Sequence, residues 1–407
     1  MTTAGTDRVR EEHARRKANG TTEQPTEQPP VKKKKWRRCR ELVDEILSRA
    51  SEPFVTLNLA GCELTRVRAG AIVLLIGGTG RRKTSLAGCL LVEHARDHGP
   101  ALSFSLELPA DEWTARVIGS RRDMGWANTL QGEVPRDQML SALPERLTIM
   151  DRDDATLPEL DLTLGDLRRE YPDQPLLVAV DYAQLVEIKS DSEIRIRIGE
   201  VMRAIDKIAR SHRVVVIALS QSSRVASRAI ASGEKIGADT TDAGAESADL
   251  ERWASATLAI GELGPESPDG SCAAQLSLGK NRMGRGDVVF PARSDGRTGR
   301  WWLVGDARPA SEVRAERGAA KNVAAQEGAE ILVVTMADRS DKPLTREELV
   351  TKAGGKRVVA RAAVVTTLER GELIEVDQRR PKSRAYLVWT RTRAEAAGVP
   401  IVADSEK

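Results

Sequence analysis

Between residues 71 and 220, short, largely apolar runs alternate with segments whose apolar residues recur every three or four positions. The runs "AIVLLI" (71–76), "ALSFSL" (101–106), "RLTIM" (146–150), "LLVAV" (176–180) and "VVVIALS" (214–220) are predicted as strands. Those without polar alternation suit strands buried on both faces, as in a parallel sheet covered by helices. Helices are predicted over 84–97, 110–119, 161–170 and 196–212, the last strongly amphipathic. Strand and helix in strict alternation imply a mostly parallel α/β sheet with crossover helices on both faces. After residue 250 the pattern changes. "ATLAI" (256–260), "AAQLSLGK" (273–280) and "DVVFPAR" (287–293) read as hairpin strands joined by Gly-rich turns.

The flanks differ. Residues 1–39 include "TTEQPTEQPP" and "KKKKWRRCR" and are too polar to bury, so a disordered basic arm is expected. "RELVDEILSRA" (40–50) carries an apolar stripe at 42, 43, 46 and 47, a linker helix within a lead-in over 40–66. The α/β domain then covers 67–305. A polar linker is expected at 306–326, a small module at 327–392 and a tail at 393–407. The module reads helix, helix, helix, hairpin, which is the winged-helix order. Thr345 with Glu348 three residues on is a capping box. In the third helix Val358, Ala362, Val365 and Leu368 are expected to face inward. Arg357 and Arg361 then face outward, beside a basic hairpin tip with Arg379, Arg380 and Lys382. Residues 342–393 hold 13 Lys/Arg against 6 Asp/Glu, a local net of +7, and contact with duplex DNA is expected there.

Over the whole chain of 407 residues the net charge is only +3, so charge matters locally rather than globally. Aromatic residues make up 3%, few for a protein that grips single strands by stacking. Four scattered cysteines form no C-x-x-C pair and support neither zinc nor a disulfide framework. His94 and His98 are expected to be cationic residues closing a helix before Gly99-Pro100. No apolar run reaches the length of a membrane span, so a cytoplasmic protein is expected.

"GGTGRRKTS" (77–85) lies directly after a buried strand and before a helix. It matches the phosphate-binding pattern G-x-x-x-x-G-K-[ST] at Gly77, Lys83 and Thr84, with Arg82 in place of the second glycine. Backbone N–H groups from Gly77, Gly78, Thr79, Gly80, Arg81, Arg82, Lys83, Thr84 and Ser85 would cradle phosphate there. Lys83 would reach the terminal phosphates, and Thr84 would bind Mg²⁺. Asp181 ends "LLVAVD" and is placed to hold Mg²⁺; Glu107 ends "FSLE" and is placed to orient water. Both fall at the sheet edge where such folds bind ligands.

With "SFSLEL", "LLVAVDYAQLV", "VIALSQSSR" and "LGKNRMGRGDVVF", the chain resembles the RecA-type ATPases over about residues 60–305. Among them it is similar to the DnaB-type hexameric replicative helicases and plasmid-replication ATPases. The resemblance implies ATP and Mg²⁺, with Glu107 as catalytic glutamate, Asp181 as metal-associated carboxylate and Gln221 as γ-phosphate sensor. It also implies that Lys280 and Arg282 reach into a neighbouring subunit of a homo-hexamer, with single-stranded DNA in the ring. Channel loops near 188–196 and 222–242 would touch that DNA, the second through Arg224 and Arg228. A loader or initiator protein is the implied partner, and plasmid or mobile-element replication the implied setting. Two other readings stay open: a weakly hydrolysing, nucleotide-binding DNA-binding regulator or scaffold, and a recombination or repair ATPase of the same fold.

Arg82 bears on that choice. A side chain there strains the loop by about 1–3 kcal/mol, a roughly tenfold to hundredfold loss of affinity. Pairing of its charge with phosphate is expected to offset part of this. A working but weakened site is expected.

Overall fold

The computed structural model describes residues 39–44, 47, 54–150, 156–181, 194–222, 229, 252–261, 263–376 and 387–399. Two compact units divide the chain, 1–52 and 53–407. The described part of the first begins with a 3-10 turn, Cys39–Leu42. Val43 and Leu47 of the predicted stripe are exposed.

The second unit opens with β1 (Val55–Leu59) and β2 (Cys62–Val67), an antiparallel hairpin where a simple lead-in was expected. Its two turn residues, Ala60 and Gly61, have φ of 53° and 80°, the torsions of a primed hairpin turn. Both of their N–H groups donate to the Glu93 carboxylate, at 2.5 and 3.1 Å. Glu93 lies on α1 (Lys83–Asp97), so the hairpin is tied to the helix that follows the phosphate loop.

The central sheet is built from β3 (Ile72–Gly77), β4 (Ala101–Ser105), β5 (Leu147–Met150), β6 (Leu177–Asp181), β7 (Val215–Gln221) and β8 (Ala254–Ile260). In the order β8-β3-β7-β6-β4-β5 every pairing is parallel. Antiparallel strands β9 (Ser271–Asn281), β10 (Val288–Asp295), β11 (Trp301–Leu303) and β12 (Arg308–Pro309) extend it beyond β8. β8 is thus both the last parallel strand and the first of the expected hairpin set.

Successive β3 residues go to opposite layers. Val73 and Leu75 join one core with Leu86, Leu90 and Leu91 of α1. Ile72, Leu74 and Ile76 join the other. There they meet Leu160 and Leu164 of a helix over Leu157–Glu170, and Val201, Met202 and Ile205 of a helix over Ile194–His212. Two covered faces explain the absence of polar alternation in these strands. Each buried Leu or Ile contributes roughly 1.5–3 kcal/mol. A helix over Ala110–Arg122, here α2, packs beside α1 through Trp113 and Val117.

His94 departs from its expected role. It is buried, its Nε2 lies 3.0 Å from Pro175 O, and burial pushes its pKa down to about 4. It is a neutral core residue rather than a cationic cap. Helix α1 is closed instead by the N–H groups of His98 and Gly99, both donating to His94 O.

The expected linker at 306–326 is helical. α3 runs unbroken from Ala310 to Asp338 and absorbs the first predicted helix of the module. Polar composition suggested a linker, but Ala, Glu, Arg, Lys and Gln all favour helix. Its start packs on β10 through Ala310, Val313 and Val289, and the Arg314 guanidinium donates to Asp287 at 2.9 Å. Its end packs Val333 and Ala337 against α4 (Arg346–Ala353), α5 (Arg357–Glu369) and the hairpin β13 (Leu373–Val376) and β14 (Leu387–Thr390). The Thr345–Glu348 capping box forms, with Thr345 N donating to Glu348 Oε2 at 2.8 Å.

The inner face of α5 is not the predicted one. Ala360, Ala363, Val364 and Thr367 are buried, Ala362 is exposed, and Val358 and Val365 are 79% and 46% exposed. Only Leu368 of the predicted stripe reaches the core, at its margin. The segment is apolar on more than one face, so periodicity alone could not fix its phase.

Candidate functional site

The loop 78–82 leaves β3 at its carboxyl edge and enters α1 at Lys83. Lys83 passes over Gly77 so closely that a Cβ at 77 would stand 3.2 Å from Lys83 Cγ. The Lys83 ammonium donates to Gly77 O and Gly78 O, both at 3.1 Å. Gly80 has φ 73°, and Arg82 is left-handed at φ 60°, ψ 34°. The loop therefore uses the torsions a glycine would favour at 82, with a side chain present. That side chain does not stay over the loop. Its Nη1 donates to Ser294 O at 2.8 Å and Ser294 Oγ at 3.1 Å, and its Nη2 lies 3.7 Å from Cys272 Sγ. The guanidinium grips β9 and β10.

Asp181 closes β6 beside the end of β4. Ser105 and Asp181 are register partners, and Leu106 N donates to Asp181 O at 2.8 Å. Glu107 follows, exposed and two residues beyond the strand it was expected to end. Both carboxylate oxygens of Asp181 are buried without a hydrogen-bond partner. Burial pushes its pKa up to about 6. The Thr84 hydroxyl opposes this from outside hydrogen-bonding geometry; the Glu107 charge adds to the rise, while Lys83 and Arg116 work against it. Burial also lowers the Lys83 ammonium, against the attraction of Asp181 and Glu107. Lys83, Thr84, Glu107 and Asp181 thus sense one another at one sheet edge. Two bare buried carboxylate oxygens beside a hydroxyl form the donor set that a hard divalent cation takes.

Gln221 ends β7 as the register partner of Gly77, and Ser222 N donates to Gly77 O at 3.2 Å. The start of the phosphate loop is thus hydrogen-bonded to the residue that follows β7.

Lys280 and Arg282 are not brought into this cleft. β9 runs antiparallel to β8, so its end lies at the amino edge of the parallel strands. Lys280 N donates to Thr257 Oγ1, the Arg282 N–H to Ser255 O and the Arg282 guanidinium to Arg252 O. Ser255 is level with the start of β3. Arg282 is thus about five residues, roughly 16 Å along the strand, from Gly77.

Arg116 of α2 was missed by sequence reasoning. It pairs with Glu112 at 2.6 Å and its guanidinium lies 4.6 Å from the Trp126 ring centroid, yet its charge reaches Asp181. The only sequence signal was a Glu–Arg pair one helical turn apart.

Of the residues expected to touch DNA, Arg224, Arg228, Arg379, Arg380 and Lys382 lie outside the described residues. Arg357 is exposed at the start of α5. Arg361 is exposed but pairs with Glu347 at 2.8 Å. Arg346 and Arg370 likewise pair with Glu375 and Glu330, at 2.6 and 2.7 Å. Three of the module's arginines are thus engaged with carboxylates of the same module.

Residues 64–289 match the family model described as the DnaB-like helicase C-terminal domain. Curated relatives include the replicative DNA helicase DnaB of Buchnera aphidicola subsp. Acyrthosiphon pisum (strain APS), 28% identical over 196 residues. That match covers 46% of this chain and 41% of the relative. The corresponding protein of Buchnera aphidicola subsp. Schizaphis graminum (strain Sg) is 27% identical over the same shares. The match thus spans about two fifths of the length of these relatives. A solved ATPase domain aligns with 65% of this chain and 97% of its own length, at TM-score 0.50 and 19% identity, a likeness of fold.

Proposed function

The chain belongs to the family of DnaB-like helicase C-terminal domains, and from that premise we propose that it is an ATP-driven motor on DNA. The proposed motor is a ring-forming helicase or translocase that hydrolyses ATP at the interfaces of a homo-hexamer during replication, in a plasmid or mobile element. The observation that carries the reading is geometric: Lys83 lies over Gly77 at the end of β3, Asp181 ends β6 with both carboxylate oxygens buried and unpartnered, and the Leu106–Asp181 bond brings Glu107 out beside it.

In this reading the loop from Gly77 to Ser85 binds the phosphates through backbone N–H groups at the start of α1. Thr84 and Asp181 would hold a Mg²⁺ ion, and the chemistry such an ion would supply there is neutralisation of charge on the terminal phosphates. Glu107 orients the attacking water and takes its proton. Gln221 reports the state of the loop along β7 to residues beyond 222, where Arg224 and Arg228 contact single-stranded DNA. Lys280 and Arg282 serve a neighbouring protomer, which their place at the opposite sheet edge favours. There the arginine offsets charge developing in the transition state. The C-terminal module acts as a winged helix on duplex DNA through Arg357, Arg361, Arg379, Arg380 and Lys382, and a loader or initiator brings the ring to its site.

The left-handed Arg82 favours a second reading, a regulator that binds nucleotide and hardly hydrolyses it. Steady-state ATP turnover with and without single-stranded DNA, beside Lys83→Ala, separates the two. Turnover that rises with DNA and disappears in Lys83→Ala supports the motor. Sequence-specific duplex binding without turnover supports the regulator.

A further inference from the structure

Arg82 and the ribbon formed by β9 and β10 are joined over 212 positions of sequence by one guanidinium. Its two acceptor residues, Ser294 and Cys272, face each other on a single rung of that ribbon, and both are buried. The planar head is closely enclosed. A Cβ at Gly296 would stand 2.5 Å from Nη2, 2.8 Å from Cζ and 3.1 Å from Nε. The left-handed backbone at 82 is unfavourable for any residue with a Cβ. A side chain that merely tolerated it would gain nothing by reaching a remote rung. Here the direction imposed by that backbone conformation is the one that delivers the guanidinium to Ser294.

We infer that Arg82 is a positioning residue that holds the phosphate loop in its left-handed form by gripping the Ser294–Cys272 rung. The residue that departs from the phosphate-loop pattern is therefore a clamp, built in place of the freedom a glycine gives. It also makes the loop and the ribbon one mechanical body. β9 starts one residue before this rung and ends at Lys280 and Asn281, beside Arg282. The loop of one nucleotide site is thereby tied to the residues offered to another. The nucleotide-dependent part of this inference rests on the phosphate-loop reading above.

Gly296→Ala tests it from outside the loop. The added methyl displaces only the far end of Arg82, and Gly296 is exposed. The 407-residue chain is compared as wild type, Gly296→Ala, Arg82→Gly and the double variant. Amide exchange of 78–82 is followed without nucleotide, and KM and kcat for MgATP are measured. Expected is faster exchange at 78–82 and a KM raised about tenfold by Gly296→Ala, with kcat within twofold. In the Arg82→Gly background the same substitution changes neither. Equal effects in both backgrounds would make residue 296 merely structural and overturn the clamp. So would no effect in either, or a lower KM in Gly296→Ala, which would mean that the freed guanidinium binds phosphate. Exchange that behaves as expected in a protein that binds no MgATP would instead overturn the nucleotide reading and leave the clamp standing.

Discussion

The Leu106 N–H donates to the carbonyl oxygen of Asp181 across 2.8 Å. This bond stitches the ends of β4 and β6 together, so Glu107 leaves its strand beside Asp181. Position, more than burial, defines Glu107. Glu107→Gln keeps size and hydrogen bonding but removes the base. Turnover is expected to fall by about 10²–10⁴, with MgATP affinity changed by less than about threefold. Phosphate release and equilibrium titration measure the two. Unchanged turnover would assign the base to another group.

Arg282 predicts complementation. Its place at the amino edge, far from Gly77 in the same chain, means that Arg282→Ala should lower turnover by about 10³ or more while leaving nucleotide binding intact. Mixing Arg282→Ala with Glu107→Gln creates interfaces that pair an intact base with an intact arginine. Activity should return in the mixture. Failure to recover in assemblies shown to be mixed would remove the arginine from the neighbouring site.

Asp181 sets a pH dependence whose sign follows from burial. Its folded pKa of about 6 lies above the ordinary carboxylate value. The folded state therefore binds the proton more tightly, and the nucleotide-free protein loses stability as pH rises from about 4 to about 6. The loss is on the order of 2–3 kcal/mol. Asp181→Asn should raise the Tm of the nucleotide-free protein by a few degrees at pH 7.5, have little effect at pH 4, and abolish Mg²⁺-dependent turnover. A lower Tm at pH 7.5 would contradict this.

His94 acts in the opposite sense. Its folded pKa of about 4 lies below the ordinary imidazole value of 6.5. The stability it protects is present above pH 6.5 and is lost as pH falls toward 4. His94→Gln can keep the donor to Pro175 O without a titrating ring. Melts between pH 4 and 6.5 should show that His94→Gln loses less stability on acidification than wild type. Between pH 4 and 6 the two residues partly cancel, so the single variants should diverge from wild type in opposite directions.

The central strands were legible because burial on both faces leaves a continuous apolar run, and β3, β6 and β7 carry one. Lys83 was legible as the start of the helix after β3, and Asp181 as the end of β6, whereas Glu107 falls two residues past the end of β4. Other features depend on partners distant in sequence. Nothing near Arg82 foretells Ser294, and nothing near Ala60 foretells Glu93. The β1–β2 hairpin was overlooked although "VTLNL" alternates buried and half-buried positions. α5 was phased wrongly because Val358 and Val365 are as apolar as Val364. Only packing against Val333 and Leu349 selects the face. For α3, low hydrophobicity was mistaken for lack of structure.

That last element carries a geometric consequence. Twenty-nine residues of unbroken helix span about 43 Å, anchored on the ribbon at one end and on the C-terminal helices at the other. Such a rod fixes azimuth as well as distance. One inserted alanine turns the terminal module by about 100° about the rod, whereas seven bring it back to within about 20°.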